Sequence, residues 1–270
     1  MRVAIVTGGA RGIGKGICIA LAKEGCYVFV NYLNNKNEAD EVVDEITRAG
    51  GKAQSLQADV SKPEEVKVLM KEASKITGSI EILVNNASLE INHYIWDLKD
   101  DEWEKSLRTT LFAPFYSSKY VLPYMSKAKN GKIVNISSIH DVVPRKAAVS
   151  YCSGKAGMLM MTKVLALELA PYNIQVNAVS PGLTLTDRTA SILKDDGSVD
   201  VDNEVVASNP MKRPALIEEI VEPVLYLCSS KANYTSGTTI YVDGGYQHNL
   251  CPEREENMFD FLEDLKLTDS

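Results

Sequence analysis

The stretch YCSGK, residues 151–155, sets a tyrosine four positions before a lysine. On a helix, Tyr151 and Lys155 would lie one turn apart on the same face. A free phenol titrates near ~10 and is a poor acid or base at neutral pH. A lysine ammonium held beside it favours the phenolate and lowers that pKa. Such a pair can move a proton to or from a substrate oxygen. Two residues can also share a helix face with no chemistry between them, and the spacing alone does not separate these readings.

A second stretch, TGGARGIGKG, follows the apolar run RVAIVT (2–7) and leads into a helical pattern. Gly8, Gly12 and Gly14 are spaced G-x-x-x-G-x-G. Glycine permits a tight turn and lets backbone N–H groups approach a pyrophosphate at a helix N-terminus. On the first strand, turn and helix of an α/β chain this spacing points to a dinucleotide. The other reading is a turn kept glycine-rich for packing alone.

Positioning such groups needs a scaffold, and the chain supplies a regular one. Strand patterns at 2–7, 27–32, 52–59, 80–86, 131–137, 174–180 and 238–245 alternate with helical patterns at 12–24, 36–49, 63–77, 101–128, 150–171 and 215–229. Several strands are nearly continuous apolar runs, as burial on both faces requires. The expectation is an α/β fold: one doubly wound, Rossmann-type domain over 1–250, with a mostly parallel seven-stranded sheet flanked by helices. Residues 184–213 interrupt the alternation. They are long, polar and irregular, as expected of a lid over a substrate.

Composition narrows the class. The 270 residues are 45% hydrophobic and 24% charged, ordinary for a globular protein. The formal net charge of -7 argues against nucleic acid as a partner. The first apolar run breaks into glycines too soon to span a membrane and carries no leader-peptide pattern. Five cysteines without a CxxC pair suggest reduced thiols and a cytoplasmic location, and three scattered histidines suggest no metal site.

The motifs together resemble the short-chain dehydrogenase/reductase family. Thr7–Gly14 matches its T-G-x-x-x-G-I-G cofactor motif, NNA (85–87) its motif after the fourth strand, and YCSGK its Y-x-x-x-K. Ser138, thirteen residues before Tyr151, stands at the family's serine position. NAVSPG (177–182) followed by Thr186 resembles its P-G-x-x-x-T segment, and YVDGG fits the chain's last strand. Within the family, VNY, NNASLE and SSIHD are similar to glucose 1-dehydrogenases, and the chain also resembles 3-oxoacyl-carrier-protein reductases.

The resemblance implies hydride transfer between a nicotinamide and a secondary alcohol or ketone. Tyr151 would be general acid/base, Lys155 would tune it and hold the nicotinamide ribose, and Ser138 would bond the substrate oxygen. Cofactor contacts are expected at Gly8, Arg11, Gly12, Ile13, Gly14, Asn31, Asp59, Val60, Asn86, Tyr151, Lys155, Pro181, Gly182, Thr184 and Thr186. Thr110 falls where the family carries a helix-kinking asparagine that holds a water beside the lysine, so it joins Ser138, Tyr151 and Lys155 as a catalytic candidate. Ser88 replaces a usual glycine. These two departures motivate the competing reading, a nucleotide-binding sensor or scaffold with little turnover.

NAD-preferring sites carry an acid at the end of the second strand. Here that strand runs into Asn31, Asn34 and Asn35, and the first acid, Glu38, lies inside the next helix. Arg11 and Lys36 could instead pair with a 2′-phosphate. The expectation is therefore NADP(H), with NAD(H) the alternative. The substrate, a small alcohol or ketone, should be lined by Ser88–Tyr94, Ile139–Pro144 and Leu183–Pro210, with Tyr94 and His140 available to a hydroxyl. The resemblance also implies a homotetramer, built by pairing the helices at 101–128 and 150–171.

The C-terminal 251–270 carries seven acids against two bases. Met258, Phe261, Leu262 and Leu265 fall on one helical face, and Pro252 suits a first helical turn. A docked acidic helix is expected there, packed near a neighbouring subunit.

Overall fold

The computed structural model describes residues 1–249, so the proposed C-terminal helix lies outside the described residues. In chain order the elements are β1 (Val3–Val6), α1 (Gly12–Lys23), β2 (Tyr27–Tyr32), α2 (Lys36–Arg48), β3 (Lys52–Gln57), α3 (Pro63–Ser74), β4 (Ile82–Asn85), α4 (Asp100–Leu107), α5 (Ala113–Ala128), β5 (Gly131–Ile136), α6 (Val149–Leu169), β6 (Ile174–Pro181), α7 (Glu204–Ala207), α8 (Ile217–Cys228) and β7 (Thr239–Val242).

The strands pair in the order β3-β2-β1-β4-β5-β6-β7, and every pairing is parallel. Both faces are covered, which explains the continuous apolar runs. Ala4, Val6, Val28, Val30, Ile82 and Val84 face α1 and α8, while Val3, Ile5, Phe29, Leu83 and Ile133 face α3, α5 and α6. Full burial of one such side chain contributes roughly 1.5–3 kcal/mol. The sheet order reverses between β1 and β4, and a crevice opens there at the carboxyl ends of the strands.

The helix expected over 101–128 is three pieces. Between α4 and α5, residues Arg108–Phe112 form a π-helical turn. Pro114 accounts for it: the ring offers no N–H to the carbonyl of Thr110 and crowds that residue. The irregular segment at 184–213 holds a 3₁₀ turn, Asp187–Ile192, and the short α7. It packs down through Ile192 and Val206, and the buried Asn209 donates to the carbonyl of Asp243 at 2.8 Å.

Candidate active site

A cleft of about 1270 Å³ runs across the strand ends from the glycine turn to the 3₁₀ turn at 187–192. That exceeds the usual space for one small ligand and leaves room for a dinucleotide with a substrate.

One end of the cleft is built from backbone. The turn after β1 holds Gly8 and Gly12 at φ +61° and +53°, in the left-handed region. A Cβ on Gly14 would come 2.3 Å from the Gly8 carbonyl and 2.6 Å from Asn86 Nδ2, so only glycine lets α1 start this close to the turn. Asn86 Nδ2 donates to the carbonyls of Thr7 (3.0 Å) and Gly8 (2.9 Å), and Thr7 Oγ1 accepts from the backbone N–H groups of Asn86 and Ala87 at 3.0 Å. These bonds lock the turn to the end of β4. The open cradle at the start of α1 fits a pyrophosphate.

Gly8, Arg11, Gly12, Ile13, Gly14, Asn31, Asp59, Val60, Asn86, Tyr151, Lys155, Pro181, Gly182, Thr184 and Thr186 all line the cleft. Asn31 does so with its side chain already committed: Nδ2 donates to the carbonyls of Leu56 (3.2 Å) and Ala58 (3.1 Å). It ties β2 to β3 at their ends. Asp59 Oδ1 accepts from Ser61 Oγ at 2.6 Å. Of the two cations expected near a 2′-phosphate, Arg11 is exposed on the cleft wall, but Lys36 is absent from the wall and pairs with Asp40, one helical turn on. Glu38 does line this end, because the Asn35 cap sets α2 with its first turn facing the cleft.

The other end is built from side chains. Tyr151 and Lys155 sit one turn apart on α6, and Ser138 caps the 3₁₀ turn Ile139–Asp141 that follows β5. Ser138 Oγ accepts from the His140 N–H at 3.2 Å, and Ser138 and Tyr151 both line this end of the cleft. Burial pushes the Tyr151 phenol up to about 12, against the downward pull of Ser138. Lys155 is 1% exposed, and its Nζ donates to the carbonyl of Ile136 at 2.7 Å. It lies 5.5 Å from the centroid of the Tyr151 ring. Burial pushes Lys155 down to about 7, opposed by the charges of Asp141 and Glu90. The expected tuning of tyrosine by lysine therefore runs differently in the protein alone. The ammonium is set by the ring rather than at the phenol oxygen, and desolvation dominates both groups.

Thr110, expected in the catalytic set, does not line the cleft. It is fully buried in the π turn, and its Oγ1 donates to the Leu89 carbonyl (3.2 Å) and accepts from the Leu89 N–H (3.3 Å). Its methyl packs on Gly154 of α6, where a Cβ would come 3.0 Å away. Thr110 thus holds the loop after β4 against the helix that carries Tyr151. Tyr94, expected near a substrate hydroxyl, also lies off the cleft wall and stacks on Trp96 at 4.8 Å. His140 is on the wall. Its Nδ1 lies 2.9 Å from the Val143 carbonyl, which can only accept, so Nδ1 carries the proton and Nε2 is an acceptor. Burial lowers its pKa and keeps the ring neutral.

Two features were not expected from sequence. Asp141, 8% exposed, accepts from Ser137 Oγ (2.8 Å), Ser180 Oγ (2.6 Å) and Tyr241 Oη (3.1 Å), and so binds the ends of β5, β6 and β7 at the end of the cleft that holds Ser138, Tyr151 and Lys155. Glu90 pairs with Arg145 and, at 3.0 Å, with Arg188. No local pattern announces either cluster, because the partners lie between 39 and 100 residues apart, Ser137 excepted. Among the described residues, no three His, Cys, Asp or Glu side chains stand together as a metal site, and no helix is long and apolar enough to cross a membrane.

Comparison with known proteins follows this geometry. Residues 2–197 match the short chain dehydrogenase family. A 3-oxoacyl-(acyl-carrier-protein) reductase of Staphylococcus epidermidis is 38% identical over 242 residues, covering 90% of this chain and 97% of the relative. Glucose 1-dehydrogenase 2 of Bacillus subtilis is 35% identical over 90% of this chain and 94% of its own. Among solved structures, a protein described as a gluconate dehydrogenase from Agrobacterium tumefaciens superposes with a TM-score of 0.86 at 30% identity, covering 92% of this chain and 97% of that one. A protein described as a short-chain alcohol dehydrogenase from Sinorhizobium meliloti gives 0.84 at 34% identity, covering 92% and 96%.

Proposed function

The chain belongs to the short chain dehydrogenase family, and we propose that it is an NADP(H)-dependent oxidoreductase interconverting a secondary alcohol and a ketone, with Tyr151 as general acid/base. The observation that carries this reading is the gathering of Ser138, Tyr151 and buried Lys155, whose Nζ lies 5.5 Å from the Tyr151 ring, at one end of a cleft whose other end is a glycine cradle.

The cradle of Gly8, Gly12 and Gly14 would receive the pyrophosphate, Asp59 and Val60 the adenine end, and Pro181, Gly182, Thr184 and Thr186 the nicotinamide end. Arg11 favours NADP(H), since an exposed guanidinium suits a 2′-phosphate. Glu38 on the same wall works in the other direction, so Arg11 alone carries the preference. When bound, the nicotinamide supplies or accepts the hydride.

The chain's own groups handle the proton. A phenol held at about 12 stays protonated at neutral pH, which makes Tyr151 Oη a donor to a carbonyl oxygen in the reducing direction. Ser138 bonds the same oxygen and steadies the charge that develops there. The protonated fraction of Lys155, its Nζ held by the carbonyl of Ile136, would offset the phenolate charge left behind across the ring face. His140 Nε2 offers an acceptor to a substrate hydroxyl.

Tyr151→Phe should keep cofactor binding and lose nearly all turnover, on the order of 10²–10⁴-fold. Nicotinamide absorbance across a panel of alcohols and ketones, with cofactor binding followed by fluorescence, checks this. Comparable turnover in the variant refutes the mechanism. Cofactor binding with no turnover by the wild type on any panel member moves the reading to a nucleotide sensor.

The assembly proposed is a homotetramer. Met160, Val164 and Leu167 lie at i, i+4 and i+7 on α6 and are 60%, 45% and 79% exposed, an apolar stripe suited to a second copy. Light scattering at micromolar concentration should give a multiple of 29.6 kDa, and a monomer mass rules the assembly out.

A further inference from the structure

The cluster around Glu90 is more charged than a clasp between two loops needs. Glu90 follows β4, Arg145 lies between β5 and α6, and Arg188 sits in the 3₁₀ turn beyond β6. All three line the cleft. One carboxylate faces two guanidiniums, which leaves one positive charge locally. The Glu90 side chain is 13% exposed, while those of Arg145 and Arg188 are 38% and 55% exposed, so the acid is tucked behind and the arginines face the opening.

Their donors are only partly used. Arg145 Nη2 serves both Glu90 and Asn92 Oδ1 (2.6 Å), and Arg188 Nη2 serves Glu90 at 3.0 Å. Among the described residues no acceptor meets Nε or Nη1 of either arginine. A guanidinium carries five N–H groups in a rigid fork that suits the two oxygens of a carboxylate. Burial would push Glu90 up, but its bonds and charge pairing with Arg145, Asn92 and Arg188 hold it below the usual carboxylate range, so it stays anionic and keeps both forks in place. The three line the same cleft as Ser138 and Tyr151.

The remaining charged residues on this side, Lys105, Asp187 and Glu204, together carry one negative charge. The wall as a whole is therefore near neutral. Selection would come from the local pair of forks, not from a diffuse positive field.

Resting on the oxidoreductase reading, we infer that the substrate is a hydroxy acid or keto acid whose carboxylate is received by Arg145 and Arg188, with Glu90 as their fixed counter-ion. Glu90 orients the pair and the substrate carboxylate completes it. Tyr151 and Ser138 then meet the carbonyl a short distance along the same molecule. A neutral polyol or ester would leave the open N–H groups without a charged acceptor.

The test uses the full chain with NADPH and matched ketones, acetoacetate against methyl acetoacetate and 2-oxobutyrate against its methyl ester. Acids should exceed esters in kcat/KM by about tenfold or more, the scale of one charge-assisted contact. Arg188→Gln and Arg145→Gln should bring the acid-to-ester ratio towards one. Esters reduced as well as acids, or a ratio that survives both substitutions, overturn the inference. Malonate binding by calorimetry decides it independently of turnover. Binding to wild type that weakens in Arg188→Gln supports the carboxylate site even if no ketone is reduced and the oxidoreductase reading fails; no malonate binding overturns it. Arg188→Lys, which keeps the charge but loses the fork, replaces the glutamine variant if that does not fold, and it too should lower the acid preference.

Discussion

The two ends of the cleft are made of different material. At the glycine end, the wall is made of backbone shape: glycines at positive φ, a helix start, and an asparagine that fastens the turn to β4. At the other end it is made of side chains from segments far apart: Ser138 and Tyr151 beside buried Lys155, Asp141 among three hydroxyls, Glu90 between two arginines. Backbone shape is set locally and leaves a spaced motif. Side-chain clusters depend on which loops the sheet brings together. One end can stay constant while the other changes its chemistry by loop variation, which fits relatives named for an acyl-carrier-protein ketone and for a sugar at similar identity.

The comparison breaks most sharply at Gly14. A methyl there would meet the Gly8 carbonyl at 2.3 Å, backbone that can yield only by distorting the turn. Gly14→Ala should lose cofactor binding, and overpacking should lower stability by about 1–3 kcal/mol. Fluorescence titration and thermal melts check both. Unchanged affinity would mean that the turn is not a backbone-shaped site.

Arg11→Ala tests the side chain on which the proposed NADP(H) preference rests. It should weaken NADP(H) by roughly ten- to a hundredfold and NAD(H) far less, as expected for the loss of one charge-assisted phosphate contact. Equal weakening of the two in parallel titrations would show that Arg11 does not read the phosphate.

The smallest effect sharpens the substrate end. Lys155 is pushed down to about 7 in the fold, against ~10.4 for an unfolded lysine. Between these values the unfolded chain binds more protons than the folded one, so stability of the cofactor-free protein should rise with pH from about 7 towards 10. The slope from this group is at most about 1.4 kcal/mol per pH unit. Urea melts at pH 7, 8 and 9 should show the rise in wild type and a flatter profile in Lys155→Met. Identical profiles would mean that the lysine titrates normally.

Much of this molecule was legible in one dimension. The element order and the parallel sheet follow from strand patterns alternating with helical ones, and the central strands β1, β4, β5 and β6, buried on both faces, read as largely apolar runs, whereas β3 is polar and half exposed at the sheet edge. The glycine spacing and Tyr151 with Lys155 were readable because each works within a single turn or helix. Other assignments needed the third dimension. Lys36, expected near a 2′-phosphate for its charge, turned to Asp40, and Thr110, expected at the site from the family resemblance, turned to Leu89 inside a π turn. Asp141 and the Glu90 cluster left no trace in sequence, since an acid in a loop looks the same whether water or a hydroxyl 100 residues away receives it. Local geometry and hydrophobic period are properties of neighbouring residues and belong to the sequence. Desolvation, which sets the ionisation of Tyr151 and Lys155, and the meeting of distant charges exist only once the sheet has closed over them.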